Sequence, residues 1–86
     1  MKKKYIILTK HAEERLKERK IHLEQIKRAI YDPSVNIPVW GKKKRVMKDF
    51  GNKMLDVIYI EKENNIILVT AVWLNRKDRF KDVENR

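Results

Sequence analysis

Cysteine is absent from this chain, and glycine and proline occur only twice each. Without thiols there are no disulfides and no thiolate metal centres, which suits a reducing compartment. Two histidines alone do not supply the ligand set of a structural zinc site. No apolar run is long enough for a membrane-spanning helix. The opening Met1-Lys2-Lys3-Lys4-Tyr5-Ile6-Ile7-Leu8 imitates the start of a signal peptide, but its apolar part stops at Thr9-Lys10, too soon for a hydrophobic core region. A cytoplasmic protein with no membrane partner and no cofactor is the expectation. Acid is the last shortage: 12 Asp+Glu stand against 22 Lys+Arg, a formal charge of +10 on 86 residues.

That length suits one domain, positions 1–86, with a thin core. The charge points to a polyanion or an acidic protein. A merely solvating surface would mix the signs. Here they separate: Lys42, Lys43, Lys44, Arg45, Lys48 and Lys53 meet only Asp49 between positions 42 and 53.

Hydrophobic periods divide the chain. Tyr5 to Leu8 reads as a first strand. Thr9 can cap a helix running to about Lys20, with Ala12 and Leu16 as its apolar seam. His22 begins a second helix, with Gln25 at the capping-box position and Ile21 and Ile26 as a hydrophobic staple. Leu23, Ile26, Ala29 and Ile30 form its expected buried stripe, and Asp32-Pro33 ends it. From Val35 the period becomes two. Val35 to Trp40 is expected as an edge strand because of Pro38. Gly41-Lys42-Lys43 turns into a strand over Lys44 to Phe50, and Gly51-Asn52 into another over Met54 to Ile60. Ile66 to Trp73 is expected as the central strand, covered on both faces. The polar tail, 75–86, is expected either as a short docked helix or as a frayed end. The order β-α-α-β-β-β-β places two helices on one face of a mostly antiparallel sheet, an α+β architecture.

His11, Arg15 and Arg19 recur at i, i+4 spacing and so share one flank of the first helix. A neutral imidazole moves protons and guanidinium groups hold oxyanions, a combination suited to a phosphodiester. The plainer alternatives are a histidine packed on the sheet and arginines in salt bridges. Thr70 is the one polar side chain within Ile66 to Trp73. It is either a satisfied strand hydroxyl or, should it face the first helix, a partner for His11. Trp40 and Trp73 suit core or rim packing, although an exposed Trp40 beside Lys42 to Arg45 would stack a nucleobase.

Thr9-Lys10-His11-Ala12-x-x-Arg15-Leu16-x-x-Arg19-x-Ile21, together with Ile67-Leu68-Val69-Thr70-Ala71, resembles the signature of a small basic domain family of unknown function. The resemblance covers about positions 5–74. Lys20 and His22 stand where that family usually has glycine and serine. The family is similar in fold to RelE/ParE and BrnT toxins and to colicin-type ribonucleases. The resemblance implies an RNA-binding, metal-independent endoribonuclease of a toxin–antitoxin system. His11, Arg15 and Thr70 would be catalytic, and Arg19, Lys42, Lys43, Lys44, Arg45 and Lys48 would bind RNA. An acidic antitoxin would be its partner, and the protein itself a monomer or weak dimer. The alternative is a non-catalytic module of the same fold that binds nucleic acid or an acidic partner.

Overall fold

The spacing of apolar residues decides where each element lies, and the computed structural model, which describes residues 4–75, follows that spacing closely. The elements are β1 (Tyr5–Leu8), α1 (Lys10–Glu18), α2 (Leu23–Tyr31), β2 (Val35–Ile37), β3 (Lys43–Asp49), β4 (Lys53–Glu61) and β5 (Asn65–Asn75). The expectation for the tail falls on residues outside those described, apart from Asn75, which closes β5.

Thr9 separates β1 from α1. Its backbone is extended and its hydroxyl accepts from the Ala12 N–H at 3.1 Å, satisfying one of the free donors of the first turn. At the other end Lys20 takes a left-handed conformation (φ 55°). The Ile21 N–H then reaches the Leu16 carbonyl at 2.9 Å, and the Lys20 N–H the Lys17 carbonyl at 3.2 Å. This is a Schellman ending, and Leu16 and Ile21 are both buried in the core as that motif favours. In α2 the Gln25 side-chain oxygen accepts from the His22 N–H at 2.9 Å, half of a capping box. Ile26, Ala29 and Ile30 are buried as expected, whereas Leu23 stays 39% exposed at the first position of the helix.

One sheet carries the strands in the order β1-β5-β4-β3-β2. Strands β2 to β5 form an antiparallel meander, and β1 lies parallel to β5, with Tyr5 opposite Asn65 and Leu8 opposite Leu68. The helices carry the chain across one face, from the β1 edge to the β2 edge: α1 rests on β5 and β1, α2 on β4 and β3. Between helices and sheet lie Leu16, Ile26 and Ile30 against Val46, Leu55, Val57, Ile66 and Leu68. Each fully buried aliphatic side chain contributes about 1.5–3 kcal/mol.

Three expectations are corrected. The central strand is β4, not β5. β2 stops at Ile37, because Pro38 cannot donate to a ladder, so Val39 and Trp40 leave the sheet. And β5 is covered by the helices on one face only, with Val69 38% exposed on the other.

Candidate nucleic-acid interface

The capped first turn of α1 fixes where its polar flank points. His11 and Arg15 stand one turn apart, both exposed, and neither side chain has a hydrogen bond or ion pair among the described residues. Arg19, next in the row, is engaged. Its Nη1 donates to the Ala71 carbonyl at 2.8 Å. The reason lies in strand length: β1 ends at Leu8, opposite Leu68, so β5 runs on without a strand neighbour on that side. Arg19 satisfies a carbonyl in the stretch that β1 leaves uncovered.

Thr70 does not join this row. β4 and β5 lose register between Ile58 and Tyr59: Ile58 pairs with Thr70, but Tyr59 pairs with Leu68, which makes Val69 an extra residue. Such a bulge breaks the two-residue alternation. Before it, Ile66 and Leu68 face the helices; after it, Ala71 does, and Trp73 packs against the same core. Thr70 shares its face with Ile58, on the side of the sheet away from α1. The strand pattern therefore separates Thr70 from His11 and Arg15.

The expected RNA-binding cations divide as well. Lys44 bonds Glu61 at 2.5 Å and Lys48 bonds Asp32 at 3.0 Å, both on the helix face. Arg45 grips Asp56 on the opposite face through two bonds, Nε to Oδ1 at 2.9 Å and Nη2 to Oδ2 at 2.6 Å. The bond to Asp56 raises the Arg45 pKa further, so that guanidinium is a fixed charge. Glu61 also accepts from Lys4 at 2.9 Å. The bonds from Lys4 and then Lys44 hold its carboxyl below the usual carboxylate range. Of the cations from Lys42 to Lys48, Lys42 and Lys43 alone have no ion-pair partner among the described residues. They also lie far from α1. The β1–β5 side and the β3–β2 side of the sheet are separated by β4, so three strand spacings, roughly 14 Å, lie between β1 and β3.

The two tryptophans part company. Trp73 packs edge-on against Phe50 with ring centroids 5.8 Å apart, and the Lys53 ammonium lies 5.8 Å from its ring centre. Trp40, in the loop between β2 and β3, is 93% exposed. Behind that loop a groove of about 410 Å³ opens, lined by Pro38, Val39, Lys43, Lys44, Arg45 and Tyr59 among others. Burial raises the Tyr59 pKa, which keeps its phenol protonated. Among the described residues no cluster of three metal-ligating side chains forms, and no helix is long and apolar enough to cross a membrane.

A family profile described as a domain of unknown function (DUF4258) matches residues 8–73. The chain belongs to that family. No curated protein and no solved structure matches it. The DUF4258 match runs from Leu8 to Trp73, taking in α1, the hairpin loop and most of β5, so His11, Arg15, Arg19, Thr70 and the cations from Lys42 to Lys48 all lie inside it.

Sequence reasoning missed the Arg45–Asp56 pair. A signal was present: Asp56 interrupts an otherwise apolar strand, and a charge there needs a partner. The bulge at Val69 left no signal, because valine suits a bulged and a regular position alike.

Proposed function

We propose that the domain binds RNA and acts on its phosphodiester backbone at α1, as a RelE/BrnT-like ribonuclease of the toxin kind. The observation that supports this reading best is the pair His11 and Arg15, exposed, unpartnered among the described residues and one helical turn apart on a chain of charge +10. In the proposed step the RNA 2′-oxygen attacks the adjacent phosphorus and the 5′-oxygen leaves, giving a cyclic phosphate. The imidazole of His11 takes the 2′-hydroxyl proton and returns it to the departing oxygen. Arg15 holds the charge that builds on the phosphorane. Arg19 positions the row through Ala71, and Thr70, behind the sheet, takes no part.

Cleavage of a mixed-sequence RNA by the purified full chain in EDTA tests this. His11→Ala lowers the rate by about 10²–10⁴-fold if the histidine moves the proton. Equal rates in variant and wild type remove His11 from the mechanism. A second reading, a non-catalytic RNA-binding module, draws on the position of Thr70 and the engagement of Arg19, which leave His11 without an orienting partner. It expects steeply salt-dependent binding and no cleavage at any pH. In either reading a short acidic protein is the natural competitor for the uncompensated cations.

A further inference from the structure

We propose that the tip of the β2–β3 hairpin is a stacking site for an unpaired nucleobase, with Trp40 as the platform and Lys42 and Lys43 as phosphate ligands. The site takes its ligand class from the RNA-binding reading above and adds to it a preference for single strands.

Four observations converge on it. Trp40 is 93% exposed and continues an apolar surface through Val39, 37% exposed, to Pro38. An indole so fully presented to water, at a loop tip and not on a core-facing strand, makes a free π-face available. The backbone that presents that face is specified at two positions. Pro38 fixes its own φ, and Gly41 adopts φ +72°, a conformation that side-chain-bearing residues avoid. Charge is distributed to match: Lys44 and Arg45, toward the sheet, are engaged with Glu61 and Asp56, whereas Lys42 and Lys43, next to Trp40, are free of ion pairs among the described residues. The uncompensated cations thus stand where a strand stacked on Trp40 would carry its phosphates. Lastly, the groove of about 410 Å³ behind the loop presents Lys43 together with Pro38, Val39 and the protonated Tyr59 phenol, room and chemistry enough for a neighbouring nucleoside.

Single-stranded RNA is favoured over an acidic peptide because this pairing of an aromatic plate with flanking ammonium groups is the arrangement that single-strand binders use. Stacking on the plate tolerates any base, and the lysines follow the backbone. Duplex RNA keeps its bases stacked on one another and offers Trp40 nothing.

The test uses the full chain, a labelled oligouridylate and a duplex RNA of equal length. Trp40→Ala weakens oligouridylate binding by roughly 5- to 100-fold, and Trp40→Phe recovers most of it. Duplex binding is unchanged by either substitution. Oligouridylate quenches the emission that Trp40→Ala lacks, and the remaining signal, from Trp73, does not respond. Lys42→Ala lowers the salt slope for the single strand by about 0.7, the loss of one phosphate contact. If Trp40→Ala binds oligouridylate as the wild type does, the stacking site is overturned while the RNA-binding reading stands on α1. If the wild type binds no RNA at all, both fall. Quenching of Trp40 by polyglutamate as strong as by oligouridylate identifies a peptide-docking tip and overturns the nucleobase assignment.

Discussion

Asp56 is the buried charged side chain among the described residues, 6% exposed on the sheet face away from the helices. Two bonds from Arg45 satisfy it, the bidentate match of guanidinium to carboxylate. Breaking such a pair from one side strands a charge in a poor solvent. Arg45→Ala is therefore expected to destabilise the domain by about 2–3 kcal/mol, less than for a wholly enclosed pair because the arginine remains about a third exposed. Urea unfolding measures the loss. Arg45→Lys recovers only part of it, since an ammonium cannot form both bonds. In the sequence Asp56 stands out as a charge within an apolar strand, but nothing there names Arg45 as its partner. Only the antiparallel register, with Arg45 opposite Ile58 and Met47 opposite Asp56, puts them diagonally on one face.

At the scale of elements, α1 ends on a left-handed residue that carries a side chain. Lys20 at φ 55° bears a strain of about 1–2 kcal/mol that glycine would not. Glycine returns about 0.4–1 kcal/mol of that through the greater freedom of the unfolded chain. Lys20→Gly is thus expected to stabilise by about 0.5–1 kcal/mol, read as a higher melting temperature in a calorimeter. The helices and their caps are legible in the sequence, because Thr9, Gln25, Ile21 and Ile26 act on residues within five positions of themselves. Strand β5 was harder. Residue type left open whether Thr70 faces α1, and one inserted residue at Val69 sets it on the opposite face with Ile58. A bulge is decided by the pairing of two strands, and neither strand encodes it alone.

Across the whole molecule, Glu61 joins the ends of three strands. It accepts from Lys4, which precedes β1, and from Lys44 in β3, while itself closing β4. Its depressed pKa makes this a pH-dependent clamp. A carboxylate held below its unfolded value contributes stability that is present above about pH 4.3 and is lost as pH falls through the folded value. Wild type is expected to be more stable than Glu61→Gln at neutral pH, with the gap closing near about pH 2. Paired urea titrations at the two pH values check it; a gap independent of pH would mean that the charge of Glu61 is immaterial.

The amino-acid sequence by itself determined the α+β class, the order of elements, the helix ends and the excess of positive charge. Each depends on residue type or on neighbours a few positions apart. Tertiary structure decided which of those charges remain available. Lys44, Arg45, Lys48 and Arg19 are claimed by Glu61, Asp56, Asp32 and the Ala71 carbonyl, partners 11 to 52 positions away. It also decided that Thr70 lies behind the sheet from His11 and that Trp40 stands in water. Contacts at such separations follow from strand pairing and packing, which bring distant residues together only when the chain has folded.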